Sequence, residues 1–252
     1  NQANMHLSKL LGILHDGNIN KFIEVTELEA LTLHAMMMTS NPYFILMKEG
    51  TLSIINKIWE YREATNVPIS FTLDAGANVH VLYPHSYKQQ ALDFIDTLSK
   101  DYPDNSRLFH IRGACYAGLG QLDSAVQNYE KALSINPDYA KAHYNLGGAL
   151  QGLGKLHDSV KSYENSTALE PENAQAHNNL AIVLRELEQI EEAEASYRQA
   201  IALKSDYAEA HINLGEALRK LGKHAEGLKE QILGGGVISF HFTEGCSVKR
   251  KG

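Results

Sequence analysis

The chain has 252 residues, 44% hydrophobic and 21% charged, with 6 prolines and 19 glycines, which excludes collagenous and low-complexity classes. No apolar run approaches the roughly 18 residues a membrane span requires, so no membrane partner is expected. The net charge of −7 leaves no basic face for a phosphate backbone, since residues 101–232 alone carry 13 basic against 19 acidic groups, and nucleic acid is excluded as a partner.

Cys115 and Cys246 are too few and too far apart for a disulfide framework or a metal-binding pair. They read as reduced thiols, and a cytoplasmic location is expected. Asn1 opens the chain without a charged and then apolar leader, so no signal peptide is expected. The missing initiator methionine suggests a fragment.

In chain order, Met5–His15 and Ile19–Met38 have helical spacing, the second through Phe22, Ile23, Leu28, Leu31 and Leu33. A third helical stretch covers Leu52–Ala64 with Ile55, Ile58 and Trp59. Two short apolar runs follow, Ile69–Leu73 and Val79–Tyr83. Between them Asp74-Ala75-Gly76-Ala77-Asn78 supplies turn formers. A strand–turn–strand on a helical layer makes residues 1–85 an α+β piece.

The wording of that piece, EALTLHAMMMTSNPYFIL and then FTLDAGANVHVLYP, resembles the C-terminal half of diphosphomevalonate decarboxylases, members of the GHMP kinase superfamily. The family usually has proline where this chain has Ala77. The resemblance implies a ferredoxin-like fold for residues 1–85 and makes Asp74 the carboxylate that faces the substrate 3-hydroxyl. A carboxylate on a rigid turn can orient or deprotonate a hydroxyl. The family reaction uses ATP and Mg2+ to decarboxylate mevalonate diphosphate to isopentenyl diphosphate. No glycine-rich phosphate loop occurs in the 252 residues, so those cofactors are expected only with an ATP-binding domain ahead of Asn1. As it stands the chain is not expected to be an enzyme and needs no cofactor.

The seam is expected near Pro84–Lys88, with no proline- or serine-rich linker. A natural fusion, a fragment and a mis-joined gene all fit such a junction.

Beyond it the chain repeats every 34 residues. AHYNLGGAL from Ala142, AHNNLAIVL from Ala176 and AHINLGEAL from Ala210 align, as do Tyr129, Tyr163 and Tyr197. With Gly113, Gly147, Pro137 and Pro171 in step, the pattern resembles the tetratricopeptide repeat family over 106–232. That resemblance implies an all-α solenoid of paired helices. The expected organisation of 86–232 is a half unit at 88–105, full units at 106–139, 140–173 and 174–207, and a frayed unit at 208–232. Gly227 and Gly234-Gly235-Gly236 should end the last helix early. Residues 233–252 read as a tail or the start of a truncated domain, with Val237–Phe242 a strand lacking a partner.

His143, His177 and His211 recur at the same step, and packing between helices accounts for them better than a metal, because neighbouring units stack ~10 Å apart. No metal site is expected. Asn145, Asn179 and Asn213 each precede a core leucine, which turns them about 100° from the core stripe. An amide offers a donor and an acceptor to an extended backbone. In related repeat proteins such a ladder clamps peptide in the concave groove, and the resemblance implies the same here. Tyr144, Asn178, Lys141, Arg185 and Arg219 complete the expected peptide-binding set. The function read from the sequence is therefore a protein-interaction scaffold that takes a peptide or protein segment.

Overall fold

The structure, a computed structural model, describes residues 12–13, 15–38, 49–73, 79–235, 238–241 and 245–248. The chain forms two compact units, residues 1–98 and 99–252.

In the first unit the helices α1 (Ile19–Met38) and α2 (Glu49–Thr65) pack on a two-stranded antiparallel ribbon. Strand β1 (Ser70–Leu73) pairs with β2 (Val79–Leu82) in the register Phe71↔Val81. Ile55, Ile58, Ile69 and Phe71 are almost wholly buried, and the Trp59 ring sits 6.0 Å from Phe71. Alternation along β1 sends Phe71 inward. The helices and strands expected at 19–83 are thus present, as a mostly helical unit with two short strands. The turn that joins the strands, including Asp74, lies outside the described residues, as does most of Met5–His15.

One expected core position is reversed. Leu28 is 60% exposed, while its neighbour Glu27 is buried. Glu27 earns this place by accepting hydrogen bonds from Trp59 Nε1 (3.0 Å), Ser70 Oγ (3.0 Å) and both terminal nitrogens of Arg62 (2.6 and 3.1 Å). A buried carboxylate is tolerated only when paired and hydrogen-bonded in this way.

After a 3-10 turn (His85–Tyr87) comes α3 (Lys88–Asp101). Ala91, Ile95 and Leu98 are buried as expected, together with Leu92 and Phe94. Their partners, however, belong to the first unit: Tyr61 Oη donates to the Gln90 carbonyl at 2.9 Å, and its ring is 5.1 Å from Phe94. The division of the chain therefore falls at Leu98–Ser99 rather than at the seam expected near residue 85.

The second unit is an array of helix pairs: α4 (Ser106–Gly118) with α5 (Leu122–Ile135), α6 (Ala140–Gly152) with α7 (Leu156–Leu169), α8 (Ala174–Glu186) with α9 (Ile190–Leu203), and α10 (Ala208–Lys220) with α11 (His224–Gly235). Within a pair the first member is called helix A and the second helix B. Tyr129, Tyr163 and Tyr197 fill the space between A and B. They fit because a glycine stands opposite the first two: a Cβ on Gly113 would meet the Tyr129 ring at 2.7 Å, and one on Gly147 the Tyr163 ring at 2.9 Å. Burial pushes the Tyr129 and Tyr163 phenols up to about 12. Gly120, Gly154 and Gly222 end their A helices at φ +76°, +73° and +75°, the left-handed conformation that favours glycine.

Two expectations about the end of the array are corrected. The fourth unit runs further than expected: α11 continues to Gly235, so residues 233–235 are helix rather than tail, although its 12 residues fall short of the 14 of α5, α7 and α9, as its glycines lead one to expect. Its glycines are contact points, since a Cβ on Gly234 would stand 2.5 Å from the Ala208 carbonyl oxygen. Nor does the following strand lack a partner. Strand β3 (Ile238–His241) pairs antiparallel with β4 (Gly245–Val248), Phe240 opposite Cys246.

Candidate interaction face

The histidine ladder turns out to tie each A helix to the turn before it. Nε2 of His143, His177 and His211 lies 2.9, 3.0 and 3.0 Å from the carbonyl oxygens of Pro137, Pro171 and Ser205, each six residues back. Among the described residues no group of three His, Cys, Asp or Glu side chains is placed to hold a metal. Cys115 is a buried free thiol.

The A helices meet one another through side chains spaced 31 or 35 residues apart, and these bridges run along the A-helix side of the array. Asn145 Nδ2 lies 2.8 Å from His110 Nε2, and Asn179 Nδ2 donates to Tyr144 Oη at 2.9 Å. Gln151 donates to Glu186 at 2.9 Å, and Arg185 pairs with Glu216 at 2.5 Å. In each asparagine bridge the partner is the residue that stands one place ahead of the asparagine in the preceding unit.

His110 is buried, with Nδ1 3.3 Å from Tyr139 Oη. With Asn145 donating to Nε2, the ring is neutral and Nδ1–H points to the phenol oxygen. Burial, reinforced by the charge of Lys141, lowers its pKa to about 4. Burial likewise raises Tyr144, against the Asn179 hydrogen bond and with the Glu209 carboxylate adding to the rise.

The third bridge differs. Asn178 holds the place of His110 and Tyr144 in the register, yet it is fully buried and neither Oδ1 nor Nδ2 makes a hydrogen bond. Tyr207 lies beside it, close enough for the amide to act on its phenol against the larger effect of burial. Tyr197 Oη, also buried, is unpartnered too.

The expected peptide-binding residues therefore divide. Asn145, Tyr144, Asn178, Asn179 and Asn213 lie on the A helices, and Asn145 and Asn179 each already commit one N–H inside the protein. Lys141 is exposed on α6. Arg185 is held by Glu216. Arg219 is exposed, with its stem against α11, its Cγ 3.0 Å from where a Cβ of Gly227 would stand. The residues that sequence reasoning passed over are His110, Tyr197 and Tyr207. The signal for His110 was available: it sits one 34-residue step before Tyr144.

Tetratricopeptide-repeat family models match residues 113–154 and 183–222, 140–173, and 162–195. Residues 113–222 are tetratricopeptide repeats. This repeat array superimposes on solved structures with the same architecture. A crystal structure of MamA matches at TM-score 0.58 with 21% identity, over 59% of this chain and 87% of that one. MamA from Desulfovibrio magneticus RS-1 matches at 0.57 with 17% identity, over 73% and 92%. YrrB, described as a tetratricopeptide protein with an unusual peptide-binding site, matches at 0.54 with 17% identity, over 59% and 77%. At such identities the likeness is one of fold.

A stretch of 68 residues is 29% identical to a phosphomevalonate decarboxylase of Haloferax volcanii, covering 27% of this chain and 21% of that protein. The chain thus spans about a fifth of the length of this curated relative. The name agrees with the decarboxylase resemblance of residues 1–85 and specifies one phosphate on the mevalonate rather than two. Among the described residues no helix is long and apolar enough to cross a membrane.

Proposed function

We propose that the tetratricopeptide array is a protein-interaction scaffold that binds a peptide or protein segment along its A-helix face, and that this is the main function of the chain. The observation that carries the reading is the unclosed third bridge. Two asparagine bridges are satisfied internally, whereas the third asparagine of the ladder, Asn213, is partly exposed and makes no hydrogen bond among the described residues. An extended backbone, with alternating N–H and C=O groups, suits such amides. Selection of phage-displayed random peptides on the purified chain tests the reading. Peptides retained by the native chain and lost from the Asn213→Ala variant support it; equal retention by both removes the face assignment.

The 68-residue likeness to a decarboxylase supports a second reading, in which residues 1–98 descend from the ferredoxin-like half of such an enzyme and Asp74 faces a substrate hydroxyl. ATP and Mg2+ would then be the cofactors, held mainly by a nucleotide domain. Incubation with ATP, magnesium and either mevalonate phosphate or mevalonate diphosphate decides it. Phosphate and carbon dioxide released by the native chain but not by Asp74→Ala would make this unit catalytic.

A further inference from the structure

We propose that the first unit holds a binding site for a small uncharged apolar molecule, in a cavity of about 320 Å3 between the start of α1 and the open end of the β1–β2 ribbon. Neither the A-helix face nor Asp74 takes part in it.

The local sequence leaves this space open. Gly17 turns the chain at φ +64°, and Asn18 Oδ1 then accepts the Lys21 N–H at 3.0 Å, which starts α1. Across from α1 the ribbon ends at the pair Ser70↔Leu82, the end away from residue 74. Pro68 and Pro84 stand two residues beyond that pair on either strand, and a proline has no N–H with which to prolong the ladder. Ile13, Phe22, Ile23, Leu82 and Tyr83 line the space that remains. Ile13 and Ile23 are 5% and 7% exposed, so the lining is anchored in the packed unit. Gly17, Asn18 and Ile19 are exposed and stand at the mouth.

The chemistry of the lining selects the ligand. No Asp, Glu, Lys, Arg or His belongs to it. Of its polar groups, the Ser70 hydroxyl already donates to Glu27 at 3.0 Å, and the Asn18 oxygen is taken by the helix cap. A charged group would lose its hydration here with no opposite charge in return. Water is poorly held as well, because an ordered water needs about two to four polar partners. An apolar molecule instead restores the contacts that the walls lack across the gap. An engineered apolar cavity of about 150 Å3 takes benzene, so roughly twice that volume suits a fused bicyclic ring or a branched hydrocarbon of similar bulk. The phosphorylated substrates of the decarboxylase reading do not suit it, since nothing in the lining opposes their charge.

Three isoleucines make the site visible. The full chain, labelled with 13C at the isoleucine δ1 methyls, is titrated with indole and with indole-3-carboxylate and followed by methyl NMR. The expected result is saturable shifts of Ile13, Ile19 and Ile23 with indole, no shift of Ile182 and Ile190 in the repeat array, and about tenfold weaker binding of the carboxylate. Ile19→Trp and Leu82→Phe each fill part of the space and should weaken indole binding about tenfold, with circular dichroism to check that both variants fold. Unmoved Ile13 and Ile23 methyls in the native chain overturn the inference. So do shifts that spread to Ile182 and Ile190, a carboxylate that binds as well as indole, or undiminished binding in both folded variants.

Discussion

Gly215 and Gly227 touch backbone to backbone across α10 and α11. A Cβ on Gly215 would stand 2.6 Å from the Gly227 carbonyl oxygen, and a Cβ on Gly227 would stand 2.7 Å from the Gly215 oxygen. The tyrosine that separates helices A and B in the other units is replaced at the same register by Gln231, whose Cγ lies in the same gap. A smaller spacer and two glycines let the last pair close in, which is why an apparent departure from the repeat still forms a helix pair.

Alanine at Gly215 should therefore cost more than alanine at Gly147. At Gly215 the new methyl meets backbone, which cannot step aside, and the overpacking penalty is about 2–3 kcal/mol. At Gly147 it meets the Tyr163 ring, and the third unit shows the accommodation, because Ala181 there faces Tyr197 with both fully buried. A cost of about 1 kcal/mol or less is expected at Gly147. Urea denaturation of the two variants gives the order directly.

Glu188 occupies the turn place that glycine holds in the other three units, at φ +59°. A side chain there costs about 1 kcal/mol. The exposed pair with Lys220 returns only a fraction of that, because solvent screens it. Glu188→Gly should stabilise the chain by about 0.5–1 kcal/mol, read as a rise of roughly 1–3 °C in Tm. Glu188→Ala, which loses the ion pair and keeps the strain, should lower it.

His110 sets a pH dependence. Its unfolded pKa is about 6.5 and its folded value about 4, so between these limits the unfolded chain binds the extra proton. Stability is then insensitive to this group above about pH 6.5 and falls as the pH drops towards 4. The loss attributable to the imidazole is at most about 3 kcal/mol. Protonation of Nε2 would also turn it against the Asn145 amide donor. Urea midpoints from pH 7 to 4.5 should show a shallower decline in His110→Gln than in the native chain.

Much of the array was legible because it obeys one period. Helix ends, the buried tyrosines, and the left-handed glycines at 120, 154 and 222 all follow from the 34-residue register. What escaped were relations between units. A period shows that asparagines recur, but not that Asn145 and Asn179 have partners at His110 and Tyr144 and Asn178 has none. Those partners differ in type at each step, so they form no pattern along the chain. In the first unit apolar spacing favoured Leu28 over Glu27, since a buried carboxylate depends on Trp59, Arg62 and Ser70, which lie more than thirty residues away. α3 was read as half a repeat for a similar reason: its apolar stripe suits either neighbour, and the contacts of Tyr61 with Gln90 and Phe94 tie it to the first unit.

The Glu27–Arg62 pair yields the last prediction. It joins α1 to α2, and Ser70 extends the bond to β1. Removing the carboxylate in Glu27→Ala leaves the Arg62 guanidinium, the Trp59 indole N–H and the Ser70 hydroxyl without their acceptor in a part-buried place. Breaking one side of such a pair costs about 3 kcal/mol, less whatever water recovers for Arg62, whose side chain is 26% exposed. Removing both charges should be milder than the sum of the single changes, because Glu27→Ala with Arg62→Ala no longer strands a charge. Hydrogen exchange provides the measurement. Amides of residues 19–31 and 51–71 should lose protection in Glu27→Ala and regain part of it in the double variant, while those of 122–203 stay as they are. A loss of protection in the double variant equal to the sum of the losses in Glu27→Ala and Arg62→Ala would mean that the pair contributes no coupling, and that Glu27 acts through Trp59 and Ser70 alone.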